Sequence, residues 1–146
     1  MHKLPPILEF PRDDTIVAIA TPPGRAALGI VRISGPEAIN IVSNLWSSKK
    51  AVEKLPGGSA NVGSVKLPNG ISDTAVITVW RCPKSYTGQD LIELTLHGSP
   101  ALLAEVEKAA ITFGARAAAP GEFTLRAIMN GKLSVSEAGA ISALIE

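Results

Sequence analysis

Residues 120–133 read PGEFTLRAIMNGKL, and this stretch organises the chain because it contains a short helix with its own start and stop signals. Pro120 suits the first turn of a helix, since it has a fixed φ angle and no N–H group to leave unbonded. Glu122 then lies in the first turn, where exposed backbone N–H groups favour an anion. The Asn-Gly pair that follows favours a left-handed stop, with Lys132 just beyond it.

The predicted helix has two distinct faces. Phe123, Ala127 and Ile128 share one face by their spacing, whereas Arg126 and Asn130 share another. The spacing alone therefore predicts a short helix that buries its apolar face in the core and leaves an exposed lysine after its end.

On both sides of this helix the chain mixes strands and helices without regular alternation. The hydrophobic patterns and turn signals predict strands and helices over the following residues: strands at 15–20, 28–34, 60–67, 71–81, 91–97 and 115–118, and helices at 37–46 and 100–112. The strands at 60–67 and 71–81 flank an Asn-Gly turn, which is typical of a hairpin. The sequence therefore predicts an α+β fold, with a mainly antiparallel sheet and flanking helices.

The ends of the chain differ from its middle. Residues 1–13 are rich in proline and are predicted to form an N-terminal arm, and residues 14–133 are predicted to form one domain. Over residues 134–146 a further helix begins, with Ser134 as N-cap and Glu137 three positions later in the capping-box pattern. No stop signal follows, so we expect a truncated helical domain and a longer parent protein.

Composition excludes several classes of protein. The formal net charge is +1, which does not predict strong binding to a phosphate backbone by this chain alone. Cys82 is the only cysteine, so neither an intrachain disulfide nor a multi-cysteine metal site can form. His97 and Cys82 lack a motif partner, and we expect neither a catalytic residue nor a metal site. No membrane span and no signal peptide are predicted, which indicates a soluble intracellular domain.

Two charged residues lie within otherwise apolar strands. Arg32 interrupts one predicted strand and Glu93 another, and a charge in such a position needs a partner. One interpretation is a partly exposed structural ion pair between them. The other is a ligand pocket, in which the guanidinium binds a carboxylate or carbonyl and the carboxylate accepts N–H groups from an aminopyrimidine edge. With Lys132 added, the set would suit a ligand that carries a pterin and a glutamate.

Three segments of the sequence resemble one known family in their order and spacing. PGEFTLRAIMNGKL at 120–133 resembles the "PGEFT.RAF.NGK" segment of the MnmE (also TrmE) family of bacterial tRNA-modification GTPases. DTIVAIATPPGRAALGIVRISGP at 14–36 and CPKSYTGQDLIELTLHG at 82–98 resemble two further segments of that family. The resemblance therefore extends over most of the chain.

The resemblance implies a fold and a ligand. The N-terminal domain of this family binds a tetrahydrofolate with a one-carbon unit, such as 5-formyltetrahydrofolate, in a fold similar to the folate-binding domains of the glycine-cleavage T-protein type. The residues of the family that contact folate fall on Arg32, Glu93 and Lys132 of this sequence.

The resemblance also implies a role and partners. Members dimerise through this domain, so we expect a homodimer with a folate site near the subunit boundary. They act in the cytoplasm with the flavoprotein MnmG and add a carboxymethylaminomethyl-type group to the wobble uridine of tRNA. The 146 residues contain no G-x-x-x-x-G-K-[ST] motif. GTP, magnesium and potassium are therefore expected only in a GTPase domain outside this chain, and the chain itself is predicted not to hydrolyse GTP.

The sequence departs from the family pattern in places. Ala26 and Ala27 replace two glycines, Gln89 replaces a glutamate, and Ser134 and Gly139 replace acidic residues. None of these changes removes a residue implied to bind folate, and their effect stays open.

Two alternative functions also stay open, namely a stand-alone folate-dependent one-carbon transferase and a purely structural dimerisation module. The helix at 135–145 has a broad apolar face, which we expect either to dock on a neighbouring subunit or to expose an adhesive apolar patch.

Overall fold

The computed structural model describes residues 13–145, with side chains described as far as residue 142. The predicted arm thus lies outside the described residues, apart from Asp13. Within the described part, seven strands form one sheet and four α-helices accompany it. In chain order the elements are β1 (Ile16–Ile19), β2 (Ala26–Ser34), α1 (Ala38–Ser43), β3 (Trp46–Ser47), β4 (Ser59–Lys66), β5 (Ser72–Trp80), β6 (Leu91–Gly98), α2 (Pro100–Thr112), β7 (Arg116–Ala117), α3 (Glu122–Met129) and α4 (Val135–Ile145).

The sheet has the strand order β3-β4-β5-β6-β2-β1-β7. Every neighbouring pair is antiparallel except β1 with β7, which is parallel. The predicted α+β fold with a mainly antiparallel sheet and flanking helices is confirmed.

One face of the sheet forms the core. Residues opposite each other in an antiparallel pair point to the same side, and Ile77, Leu94 and Val31 form such a row across β5, β6 and β2. All three are fully buried. α2 covers this face closely, because a Cβ atom at Gly29 would lie 2.4 Å from a methyl carbon of Leu103.

We call the other side of the sheet the open face, defined by Val62, Thr78, Glu93 and Arg32. Thr78, Glu93 and Arg32 form one row across β5, β6 and β2, and Val62 lies on the same side of β4. α3 covers part of this face, since the Phe123 ring lies over the Arg32 guanidinium. Val62, by contrast, is 71% exposed. The core face of the sheet is thus apolar and buried, whereas the open face carries charged and exposed side chains.

The first helix is shorter than predicted. α1 spans Ala38–Ser43, and the predicted continuation through Trp46 is wrong. The backbone changes to sheet pairing at this point, since the N–H of Lys66 donates to the carbonyl of Leu45. Trp46 then packs on β4 at Gly63, where a Cβ atom would lie 2.4 Å from the indole ring. Sheet pairing by a distant strand therefore overrides local helix preference.

α3 forms as predicted, but it buries a different face. The spacing predicted that Phe123, Ala127 and Ile128 are buried; of these only Ala127 is fully buried, and the other two are partly exposed. Glu122 and Arg126 are instead buried, with 1% and 2% of their surface exposed. The reason is an ionic network with distant residues, which is described below.

α4 begins with the predicted capping box. The Ser134 Oγ accepts a hydrogen bond from the N–H of Glu137 at 3.0 Å, and the Glu137 carboxylate accepts one from the N–H of Ser134 at 3.1 Å. Val135 is 75% exposed on this helix. In the described range 13–145, no helix combines the length and the apolar character that crossing a bilayer requires.

Candidate ligand-binding site

A cavity of about 450 Å³ opens on the open face, where β2, β5 and β6 meet the loop between β5 and β6. Its lining combines charged, aromatic and apolar side chains: Arg32, Trp80, Lys84, Ser85, Tyr86, Leu91 and Glu93. The two predicted site residues from the apolar strands therefore line one cavity.

Arg32 and Glu93 are opposed in the register of β2 and β6, and the Arg32 Nη2 donates to the Glu93 Oε2 at 3.3 Å. The two side chains are 30% and 22% exposed, so the pair is only partly screened by water. The Phe123 ring centroid lies 5.5 Å from the Arg32 Cζ, within the range of a cation–π contact. Arg32 is thus held by a carboxylate and by an aromatic ring.

One donor of Arg32 stays unused. The Arg32 Nε is buried, and it has no hydrogen-bond partner among residues 13–145. A buried donor without a partner costs free energy, so the guanidinium has capacity for a further acceptor. This geometry fits a ligand that brings a carbonyl or carboxylate oxygen to the pair.

The loop at 81–90 forms one wall of the cavity, and hydrogen bonds anchor it to β2 and to α3. The hydroxyls of Ser34 and Thr87 lie 2.7 Å apart, and Ser34 also donates to the Gln89 side-chain carbonyl at 3.0 Å. From α3, the Asn130 amide donates to the Thr87 carbonyl at 2.7 Å. Thr87 is fully buried. These contacts hold the loop between β2 and α3.

The loop also contacts the first half of α3. The Tyr86 hydroxyl lies 3.0 Å from the Thr124 hydroxyl, and the ring of Tyr86 lines the cavity. The position of the wall therefore depends on the position of α3 against the sheet.

α3 is held in place by an ionic network of Asp14, Arg116, Glu122 and Arg126, of which Glu122 and Arg126 are buried. Arg116 donates to Asp14 and to Glu122, each at 2.6 Å. Arg126 donates to Asp14 at 2.5 Å and lies 3.6 Å from Glu122. Two carboxylates face two guanidiniums, so the formal charges cancel. The network joins the residues before β1 to β7 and to α3.

The carboxyl groups of this network are ionised at neutral pH. Hydrogen bonds from Arg116 lower the pKa of Asp14 despite its burial, and Arg126 adds to the effect. Burial raises the pKa of Glu122, but the hydrogen bonds of Arg116 and of the Ala119 N–H outweigh it, and the pKa is lowered overall. Arg116 shows the converse, because its carboxylate partners raise its pKa, Asp14 most. The network therefore acts as a fixed ionic clamp.

The third predicted site residue, Lys132, lies elsewhere. It is exposed after the end of α3, and it does not line the cavity that contains Arg32 and Glu93. Its backbone N–H donates to the carbonyl of Ala127 at 2.8 Å, which closes the last turn of the helix. Phe123, which stacks on Arg32, precedes Lys132 by roughly two and a half helical turns. Within this chain the structure brings together Arg32 and Glu93 but not Lys132.

Several cavity residues, at the end of β5 and in the loop that follows it, were missed by sequence reasoning. These residues are Trp80, Lys84, Ser85 and Tyr86. The signal was the hairpin geometry, because Trp80 pairs with Leu91 in the register and the loop between them must lie near Glu93.

A larger cavity of about 600 Å³ lies on the other side of the same loop, lined in part by Gln89, Asp90, Arg126 and Asn130. Arg126 belongs to the ionic network and Gln89 to the loop anchor, so these groups already have partners. We therefore place the candidate site at the cavity with Arg32 and Glu93.

His97 lies at the far end of β6 from this cavity. Its Nδ1 is 2.8 Å from the Asp73 Oδ1, and its side chain is largely exposed. The pair joins β5 to β6.

Departures from the family pattern fit the fold locally. Ala26 and Ala27 lie at the exposed start of β2 with ordinary φ angles. Ala26 pairs with Gly98, where a Cβ atom would lie 2.3 Å from the Ala26 carbonyl oxygen. The close approach is thus accommodated by the glycine of β6.

The sequence is similar to known proteins of one family. The sequence profile of the family described as "GTP-binding protein TrmE N-terminus" matches residues 15–132. Similar proteins include "tRNA modification GTPase MnmE" of Thermus thermophilus, 47% identical over 91% of this chain and 31% of the relative. The proteins of the same name from Chlamydia trachomatis and Cytophaga hutchinsonii are 42% and 41% identical, over 92% and 90% of this chain and 30% and 28% of the relatives.

The chain thus spans about a third of the length of these relatives. The profile match extends over most of the chain and contains the whole sheet and α3. This chain therefore belongs to the family of the GTP-binding protein TrmE N-terminus.

Proposed function

We propose that this chain is the folate-binding and dimerisation domain of a tRNA-modification GTPase. Its ligand is a one-carbon tetrahydrofolate such as 5-formyltetrahydrofolate, bound with the help of Arg32, Glu93 and Lys132. The observation that carries the proposal is the Arg32–Glu93 pair, which lines a cavity on the open face with a donor of Arg32 still unused.

The chemistry of the pair suits a pterin. A carboxylate can accept two N–H groups from an aminopyrimidine edge, which is the role of Glu93. The guanidinium of Arg32 presents a planar set of donors to a carbonyl oxygen of the ligand. Trp80 and Tyr86 add aromatic surface to the same cavity, on which a flat ring can stack.

Assembly into a homodimer forms part of the proposal. The open face carries exposed apolar side chains, among them Val62 and Leu28, which are 71% and 60% exposed. Such side chains on an uncovered sheet surface favour contact with a second subunit. Lys132 then belongs to a ligand site near the subunit boundary, where a residue remote within one protomer can approach the ligand of another.

The name of the relatives, "tRNA modification GTPase MnmE", supports the proposed role of the parent protein. In this proposal the parent is a GTP hydrolase that acts in the cytoplasm with MnmG to add a carboxymethylaminomethyl-type group to the wobble uridine of tRNA. GTP, magnesium and potassium bind in a domain outside this chain. The folate domain supplies the one-carbon unit and the dimer contact.

A titration of the 146-residue protein with 5-formyltetrahydrofolate, followed by calorimetry, tests the ligand. Saturable binding with one site per protomer is expected. A folded dimer that binds no folate would instead be a purely structural dimerisation module. Transfer of the one-carbon unit by this chain without partners would favour the stand-alone transferase.

A further inference from the structure

The charges of the cavity do not balance. Three of its lining residues are charged, namely Arg32, Glu93 and Lys84. Arg32 and Glu93 pair with each other, so their charges cancel. Among the residues that the structure describes, no carboxylate lies within 4.0 Å of the Lys84 ammonium group. The cavity therefore has one positive charge without a protein partner, and it suits an anionic group of a ligand.

The cavity has a closed end and an exposed rim. Leu91 is 2% exposed and forms the closed end. Glu93 is two positions further along β6 and therefore points to the same side of the sheet. Tyr86 is 39% exposed, and Lys84 is also exposed. A ligand that places an uncharged ring at Glu93 therefore has an exit past the exposed residues of the rim, among them Lys84.

The backbone of Lys84 is held by hydrogen bonds, whereas its side chain is exposed. The N–H of Lys84 donates to the carbonyl of Arg81 at 2.7 Å, and the next N–H, of Ser85, donates to the carbonyl of Pro83 at 3.0 Å. Three residues further, the buried Thr87 anchors the loop to β2. The ammonium group can thus follow a flexible anion, while its attachment point stays at the rim.

We propose that Lys84 is a specificity-determining residue that binds a carboxylate of the glutamate tail of the folate. The inference rests on the proposed function. With the aminopyrimidine edge at Glu93, the glutamate tail is the part of the ligand that reaches the rim. The tail carries two carboxylates at neutral pH, and Lys84 is the cation that the cavity offers without a carboxylate partner. Lys84 thereby distinguishes folates with a glutamate from pterins without one.

A pair of ligands tests this role. Affinities of the 146-residue protein are measured for 5-formyltetrahydrofolate and for the primary amide of 5-formyltetrahydropteroate, which has the same rings but neither the glutamate nor a carboxylate. Lys84→Met is expected to weaken binding of the first roughly three- to thirtyfold, which is less than the loss of a buried charge-assisted contact because Lys84 is exposed. Binding of the second should stay unchanged. Lys84→Arg should keep most of the preference, and Lys66→Met on β4 serves as a matched control, since Lys66 is an exposed lysine outside the cavity.

The outcomes separate the two proposals. If the unmodified protein binds neither compound, the proposed function is wrong, and the proposed role of Lys84 is wrong with it. If the unmodified protein binds 5-formyltetrahydrofolate and Lys84→Met binds it equally well, only the role of Lys84 is overturned. Equal weakening of both compounds by Lys84→Met would also overturn that role, because it would reflect damage to the cavity and not loss of a tail contact.

Discussion

Arg32 and Glu93 lie directly opposite each other on β2 and β6, with the Arg32 Nη2 3.3 Å from the Glu93 Oε2. Both side chains keep access to solvent, and such pairs contribute about 0–1 kcal/mol to stability. A contribution to stability this small does not explain why a charged pair lies within an apolar sheet. The orientation of the two groups toward the cavity is therefore their more important property.

Replacing Arg32 should separate ligand binding from stability. Arg32→Ala is expected to weaken 5-formyltetrahydrofolate binding roughly ten- to a hundredfold, because a charge-assisted contact is worth about 1.5–3 kcal/mol. The free energy of unfolding should fall by only about 1 kcal/mol, in keeping with a partly exposed pair. Calorimetric titration and urea denaturation measure the two effects. Unchanged affinity in the folded variant would contradict the site.

The charge-swapped variant Arg32→Glu with Glu93→Arg is the control. It keeps an ion pair between β2 and β6 but exchanges donor and acceptor at the cavity. We expect near-normal stability without folate binding. Normal binding by this variant would mean that ligand affinity does not depend on which strand carries the guanidinium and which carries the carboxylate.

Glu122 should be important for stability. Glu122→Gln removes a buried carboxylate that faces Arg116 and Arg126, and breaking one side of a buried ion pair costs about 3–5 kcal/mol. Urea denaturation at neutral pH measures the loss. The control is Glu105→Gln on α2, which removes one negative charge from a partly exposed position and should change stability little. Equal losses in both variants would exclude a special role for the network.

The same network should make the protein sensitive to acid. In the folded state the pKa values of Asp14 and Glu122 are lowered, so both carboxyls stabilise the fold above their unfolded values, which are about 4. This contribution is lost as pH falls through the lowered folded-state values. Unfolding free energies measured from pH 7 to pH 2 should therefore decline below about pH 4, and Glu122→Gln should flatten the decline. A curve for Glu122→Gln parallel to that of the unmodified protein would contradict the assignment.

The purified chain should neither bind nor hydrolyse GTP. Its 146 residues lack the Gly-rich phosphate loop with its Lys-Ser/Thr ending, so no backbone cradle for the phosphates is present in this sequence. Phosphate release with magnesium and potassium should stay at the buffer rate. Saturable turnover that co-purifies with the protein through several columns would overturn this prediction.

The protein should form a homodimer of twice the 15.2 kDa chain mass in light scattering. Val62→Asp on the open face should yield a folded monomer if the strands supply the contact, because it places a charge in an apolar interface. Val135→Asp on α4 is the matched control, since both valines are more than 70% exposed. Dissociation by Val135→Asp alone would place the contact in α4, and a monomer of the unmodified protein at high concentration would contradict dimerisation.

Local features of the fold were predictable from the sequence because short-range interactions determine them. α2 has its predicted bounds of Pro100–Thr112, and the capping box of Ser134 and Glu137 forms as expected. A cap or a hairpin turn depends on groups within a few residues of each other. The prediction that Arg32 and Glu93 meet needed only the apolar strands around them, since an isolated charge there requires a partner.

Tertiary structure alone decided which side of α3 is buried and which side chains complete the cavity. Arg126 is buried because Asp14, 112 positions earlier in the chain, supplies a carboxylate at the right place. Without that partner, desolvation would keep the guanidinium at the surface, and the spacing of the apolar residues would decide the face. Lys84 lies at the rim of the cavity for a related reason, because the hydrogen bond between Thr87 and Ser34 holds the loop against the sheet. Periodicity reports the local preference of each segment, whereas the burial of a charge depends on a partner that only the folded chain brings near.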